Sequence, residues 1–330
     1  MKIVVAQEHE GKRTDVLVLS FLQQDGLKTL TRSSLRKYWD DLVSVNGKSA
    51  KPSLKLKHGD SVEVVKELLL ENLKKEIESS SIIPQKGDLD IVFEDEHCLV
   101  LNKKAGVVVH PGSGNIDNTL SNHVVWYLQS KGQYDESIKR GGIVHRLDKG
   151  VSGLILFAKT LQSQIFFQKQ FEVHTVEKIY LAKVQSSVFP SELECLLNGK
   201  NLNLKSVLSK LEKDDFICDD SWLKVTGYIR RSNINRMKMI FEPIKKSFGG
   251  GKLAISYIKP LSKEELLVKI ETGRMHQIRA TLEYLGLSIV GDSLYLTKKG
   301  KGGIPDIIQL QSILLSLENP AGGRKTFKLY

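Results

Sequence analysis

From residue 89 onward, short apolar runs alternate with stretches of helical periodicity, and this alternation constrains the fold more than any other feature of the chain. IVFEDEHCLVLNK, GLILFAKT, KIYLAKV, LLVKIETG and IVGD read as strands. Apolar runs of this length, rich in Val, Ile and Leu, suit a buried pleated segment better than a helix. With helical stretches between them, they predict an α+β core around one long sheet. The 330 residues leave room for a large core plus an accessory module. Residues 185–222 break the rhythm and read as an insertion, and KKSFGGG at 245–251 reads as a flexible hairpin loop. No internal repeat is evident.

Residues 1–66 have a different character. GKRTDVLVLSFLQQ reads as a helix with Thr14 as its cap, and TRSSLRKYWDDL as a second helix, with Leu35, Tyr38, Trp39 and Leu42 on one face. Asn46-Gly47 between alternating valines is a hairpin signal. Between residues 32 and 57 the basic side chains Arg32, Arg36, Lys37, Lys48, Lys51, Lys55 and Lys57 face only Asp40 and Asp41. Such a unit suits contact with a phosphate backbone, where a plain solvated face is the rival reading. Residues 67–88, mixed in charge and then serine-rich, read as a linker to a domain spanning 89–330, with a short helix at its start.

Lys and Arg number 49 against 38 Asp and Glu, a formal net charge of +11. That balance favours polyanions, either nucleic acid or an anionic membrane surface. The N-terminus lacks a secretory pattern, and no apolar run approaches the roughly 18 residues of a membrane span. The three cysteines, Cys98, Cys195 and Cys218, show no metal-ligand spacing. Free thiols in a reducing cytoplasm are the expectation, with no metal.

The chemistry-bearing segment is Gly141-Gly142-Ile143-Val144-His145-Arg146-Leu147-Asp148, followed by Ser152-Gly153 and the strand LILFAKT. It presents an Asp and an Arg on a glycine-flanked loop anchored by a buried strand, which is how a catalytic carboxylate is held. A lone loop Asp would ordinarily cap the next element. Here other segments recur around it in order: Glu94-Asp95-Glu96, Leu99-Val100-Leu101-Asn102-Lys103, Ala105-Gly106 and His110-Pro111-Gly112 upstream, then Lys178-Ile179-Tyr180-Leu181-Ala182. Thr272-Gly273-Arg274-Met275-His276-Gln277-Ile278-Arg279 and Ile289-Val290-Gly291-Asp292 follow.

In these segments the chain resembles the RluA-type pseudouridine synthases of the RsuA/RluA superfamily. Residues 1–66 resemble the ribosomal-protein-S-four-like RNA-binding module through Arg32-Ser33-Ser34-Leu35, Val45-Asn46-Gly47-Lys48, Lys51-Pro52-Ser53 and Gly59-Asp60. Together the resemblances cover most of the chain outside the linker and insertion. They imply the pseudouridine synthase fold, with a long mixed, largely antiparallel sheet flanked by helices. They also imply isomerisation of uridine to pseudouridine in RNA, with large-subunit ribosomal RNA as the target, by a monomer in the cytoplasm. That rearrangement exchanges a bond from sugar to nitrogen for one to carbon without redox change, so no cofactor is expected. Asp148 would act as nucleophile or base. Arg274 would supply its counter-charge, with Arg279 as the rival, and Tyr180 would stack on the uracil. Arg146 would extrude the target nucleotide or hold its phosphate. His145 would buttress the loop within the RNA-facing set, and Arg279 would meet RNA phosphate. Arg32, Arg36, Lys37, Lys48 and Lys51 would bind RNA from the N-terminal module.

The chain departs from the family pattern at Lys104, at Gly150-Val151 and at Gln311-Ser312. None of these removes Asp148, Tyr180 or Arg274. Two rival readings follow. One is a catalytically silent RNA-binding or ribosome-assembly factor on the same fold. The other is a hydrolase using His145 and Asp148, for which no nucleophile elbow is present.

Overall fold

The computed structural model describes residues 1–27, 30–79, 82–112, 114–197, 204, 222–244, 250–295 and 307–330. The chain forms two compact units, Met1–Ser81 and Ile82–Tyr330.

In the first unit, strands β1 (Lys2–Val4), β2 (Val43–Val45), β3 (Lys48–Ser49) and β4 (Ser61–Val64) pair in the order β1-β4-β2-β3. Helices α1 (Thr14–Gln24), α2 (Arg32–Lys37), α3 (Trp39–Leu42) and α4 (Lys66–Ser79) accompany them. Asn46 and Gly47 both take positive φ, 52° and 72°, and so close the β2–β3 hairpin. Two local expectations are corrected. Thr14 is the first helical residue rather than the cap, and its hydroxyl donates to the Leu54 carbonyl at 3.0 Å. The second helix breaks at Tyr38, where φ is −115°, into α2 and α3. The short helix expected at the start of the linker is α4, longer than expected, and Leu69 on it is buried in this unit's core.

The second unit is built on an 11-stranded sheet. In chain order its elements are β5 (Ile91–Glu94), β6 (Cys98–Lys103), α5 (Leu120–Ser130), β7 (Ser152–Ala158), α6 (Leu161–Glu172) and β8 (Glu177–Gln185). Then come α7 (Ser191–Leu197), β9 (Leu223–Arg231), β10 (Met239–Pro243), β11 (Lys252–Pro260), β12 (Glu265–Ile270), α8 (Gln277–Tyr284), β13 (Ser288–Ile289), β14 (Leu310–Glu318) and β15 (Arg324–Lys328). The strand order is β10-β9-β11-β12-β8-β14-β7-β6-β5, with β13 on β8 and β15 on β14. The described pairings are antiparallel except β7 with β14, so the sheet is mixed and largely antiparallel, as expected. Apart from α7, the insertion at 185–222 falls mostly outside the described residues, as do Cys218 and most of 245–251.

The apolar run of β7 explains why its neighbourhood is rigid. Successive side chains of a strand face opposite ways. Ile155 and Phe157 therefore enter one core with Leu99 and Leu101 of β6, while Leu154, Leu156 and Ala158 enter another with Cys98 and Val100. Both faces are covered, and each fully buried Leu or Phe contributes about 1.5–3 kcal/mol. Gly153 is needed at the start of this strand. Its φ is +108°, and a Cβ there would come within 2.2 Å of the Ser312 carbonyl oxygen on β14. Thr160 caps α6 through Ser163, and α6 returns the chain to β8 at the middle of the sheet.

Candidate active site

The loop carrying Asp148 is fixed at several points. Just upstream of it, Gly142 has φ +82°, and a Cβ would lie 2.2 Å from the Ala158 carbonyl, so the chain passes close to the end of β7. The Val151 amide donates to the Asp148 carbonyl at 3.1 Å, and the Ile308 amide donates to the Gly150 carbonyl at 3.2 Å. The Lys149 carbonyl accepts from the Gly106 amide at 2.8 Å and from Lys103 Nζ at 3.2 Å. Lys103, 1% exposed, also donates to the carbonyls of Lys104 at 3.0 Å and Val107 at 2.8 Å. Burial pulls its pKa down to about 8 despite the attraction of Asp148. One ammonium thus pins two loops together beside the carboxylate.

Arg279 supplies the counter-charge to Asp148, donating from Nη1 to Oδ2 at 3.1 Å. Its other edge forks onto Asp292, Nε to Oδ2 at 2.6 Å and Nη2 to Oδ1 at 2.8 Å. Its guanidinium also lies over the Tyr295 ring, 4.8 Å from the centroid. This bidentate grip fixes the plane of the guanidinium. His276 Nε2 stands 3.6 Å from the same Asp148 oxygen. Burial, opposed in part by Asp148, lowers the pKa of that ring, so it is neutral near pH 7. Tyr180 on β8 is buried and lines the same cavity. Its hydroxyl bonds Ser312, and burial and the charge of Asp148 push its pKa well up, so the phenol stays protonated.

The expectation that Arg274 pairs with Asp148 is therefore corrected. Arg274 Nε donates to the Leu253 carbonyl at 2.8 Å. The reason lies in the helix start. Arg274 sits in the turn before α8, whereas Arg279 is on α8, where side chains lean toward the helix N-terminus. The left-handed turn at His276, φ +53°, delivers the helix at that angle. Arg274 still lines the cavity, which measures about 500 Å³, together with Asp148, Tyr180, Lys178, Arg146 and Arg279. That volume suits a small ligand or one nucleotide.

His145 is also corrected as an RNA-facing group. Its Nε2 accepts the Leu156 amide at 2.9 Å and its ring stacks on Phe171 at 4.6 Å. Burial lowers its pKa to about 3, so it is an uncharged prop of the loop. Arg146 is exposed at the cavity wall, and Arg279, expected on phosphate, is committed to two carboxylates. In the first unit Arg36 and Arg13 hydrogen-bond the fully buried Asp15, and Arg32 lies 3.8 Å from it. Lys48 and Lys51 are exposed, and Lys37 has a partner in the fold. Val151, one of the departures, packs in the core, and Gln311 accepts from the Tyr330 hydroxyl at 2.6 Å.

Sequence reasoning gave no role to Asp292, His276, Lys103 or Lys178. Asp292 had a signal, the tight Gly291 before it with φ +81° and a Cβ path blocked 2.0 Å from the Ile307 carbonyl. Among the described residues no group of three or more His, Cys, Asp or Glu is arranged to hold a metal. Nor is any described helix long and apolar enough to cross a membrane.

A mixed sheet presenting one carboxylate, a tethered guanidinium and a tyrosine in a cation-lined cavity defines an α+β protein with an acid–base or nucleophilic site. Residues 97–284 match the family model for RNA pseudouridylate synthase, and the chain belongs to that family. It is 37% identical over 216 residues to ribosomal large subunit pseudouridine synthase D of Zymomonas mobilis, covering 64% of this chain and 57% of that protein. The Neisseria meningitidis serogroup A protein of the same name is 31% identical, with coverages of 89% and 66%. An uncharacterised RNA pseudouridine synthase of Bacillus subtilis is 31% identical, with coverages of 87% and 83%. The matched region thus spans 57% and 66% of the length of the first two relatives. Among solved structures, human RNA pseudouridylate synthase domain containing 1 shares the fold, with a TM-score of 0.51, 20% identity and coverages of 74% and 86%.

Proposed function

We propose that this chain isomerises uridine to pseudouridine in RNA, with large-subunit ribosomal RNA as its substrate. The observation that carries the reading is the meeting of Asp148, Arg279 and Tyr180 in one cavity. The reaction breaks the bond between the uracil nitrogen and the ribose, turns the base and rejoins it through carbon. Atoms and electrons balance within the nucleotide, so the protein must supply a carboxylate, a way to hold the detached base and exclusion of water. Asp148 is the carboxylate, as nucleophile toward the sugar or as base. Arg279, held by Asp292, fixes it in position and balances its charge. The Tyr180 ring covers the uracil while it is free, and its protonated hydroxyl stays on Ser312. Arg146, exposed at the mouth, is placed to take the position vacated by the flipped nucleotide.

The names of the relatives support the ribosomal substrate. The basic first unit, with Arg32, Arg36, Lys48 and Lys51, acts as the S-four-like RNA-binding module. The protein works as a monomer in the cytoplasm. Pseudouridine mapping of ribosomal RNA from a strain lacking this gene tests the reading, and one or more large-subunit sites should revert to uridine. An unchanged map would favour the silent assembly factor.

A further inference from the structure

Lys178 is 5% exposed, yet among the described residues no carboxylate or carbonyl pairs with its ammonium. Its ammonium lies against the face of Phe171, 5.6 Å from the ring centroid. Burial and the neighbouring charge of Arg274 bring its pKa down to about 8. An ammonium placed this way costs several kcal/mol unless something compensates it.

The compensation is not present among the cavity's own acids. Asp148 is matched by Arg279, and Glu172 pairs with Lys169 at 3.0 Å on the surface. Arg274 spends Nε on the Leu253 carbonyl, and its two Nη groups have no protein partner among the described residues. His174, held in a left-handed turn with φ +62° just past the end of α6, adds a second orphan. Its Nδ1 is buried without a hydrogen-bond partner. Lys178, Arg274 and His174 line one cavity. Two cations and an unsatisfied ring nitrogen lining one cavity call for an anion with several acceptor oxygens.

We propose that Lys178, with Arg274 and His174, forms a phosphate subsite that grips a backbone phosphodiester flanking the target uridine. This deepens the RNA reading above and rests on it. The division of labour is physical. Arg279 serves the reacting carboxylate, while Lys178 and Arg274 serve the backbone and so set where the nucleotide sits. Lys178 is a compact point charge that suits one phosphate oxygen, and Arg274, oriented by Leu253, supplies a directed edge.

The test uses the full chain and unmodified large-subunit ribosomal RNA transcribed in vitro. Lys178→Met should raise KM for pseudouridine formation about tenfold, with a smaller effect on kcat. It should also reduce the slope of log binding constant against log salt by about 0.7 to 0.9, the loss of one phosphate contact. Lys178→Arg, which keeps the charge, should restore KM to within about threefold of the wild type. The Tm of Lys178→Met should equal or exceed that of the wild type, because an uncompensated buried charge has been removed. A wild-type KM and salt slope in Lys178→Met would overturn the subsite. So would a lowered Tm with no rescue by Lys178→Arg, which marks a structural lysine. If the wild-type chain forms no pseudouridine, the enzymatic reading fails on its own, while the salt slope still reports on Lys178.

Discussion

Arg279 and Arg274 stand five positions apart and serve different groups, a carboxylate pair and a backbone carbonyl. Arg279 bridges Asp148 and the buried Asp292, so Arg279→Met strands two carboxylates at once. It should abolish pseudouridine formation and lower the unfolding free energy by about 3–5 kcal/mol, read from denaturant titration. Arg274→Met removes a cavity-lining cation that holds only a backbone carbonyl. It should raise KM for RNA several-fold and leave stability within about 1 kcal/mol. If Arg274→Met proves the inactive variant and Arg279→Met the active one, the assignment is reversed. The sequence displayed both arginines in one motif, but spacing could not tell which would lie on the helix and which in the turn before it. That choice depends on the positive φ of His276, for which the residue type gives little warning.

At the scale of elements, the sheet holds the reaction centre through close backbone approaches and tied hairpins. The parallel pairing of β7 with β14 requires Gly153, since any Cβ would strike the Ser312 carbonyl. Gly153→Ala should destabilise the second unit by about 2–4 kcal/mol in denaturant titration and disturb Tyr180, whose hydroxyl bonds Ser312. An unchanged midpoint would show that the two strands can separate at no cost. Asp95 ties the β5–β6 turn to Asn319 at 3.0 Å and to Lys325 at 2.9 Å. Burial alone would raise its carboxyl pKa, but donors from Lys325, Cys98, His97 and Asn319 outweigh burial and hold it well below the usual range. With the folded value below the unfolded one, its stabilisation is complete above about pH 4 and fades as pH falls further. Asp95→Asn should therefore cost about 2 kcal/mol near neutrality, and the difference should shrink toward pH 3 in denaturant titrations. The strands themselves were legible because burial on both faces writes itself into unbroken apolar runs such as LILFA. The break at Tyr38 was not, because helical periodicity continues through it, and charge disguised the length of the helix from Lys66.

On the scale of the whole molecule, the first unit has a core separate from those of the second, which implies two units able to fold independently. Removing Met1–Ser81 should leave the second unit cooperatively folded, weaken RNA binding and reduce its salt dependence. An unaltered salt slope would mean that the exposed lysines and the arginines gathered around Asp15 face only solvent. The triad of Asp148, Tyr180 and an arginine was visible in the sequence as three distant motifs. The carboxylate that orients the arginine, the lysine that joins the loops and the orphan cation in the cavity were not, since each depends on burial that a linear pattern does not record. The proposed reaction depends on the Asp148 carboxylate acting at the target nucleotide. It is tested most directly by measuring single-turnover pseudouridine formation in the large-subunit transcript by Asp148→Asn, alongside the affinity of the variant for the same RNA. No detectable product and an affinity within about threefold of the wild type are expected; product formed at the wild-type rate would contradict that role for Asp148.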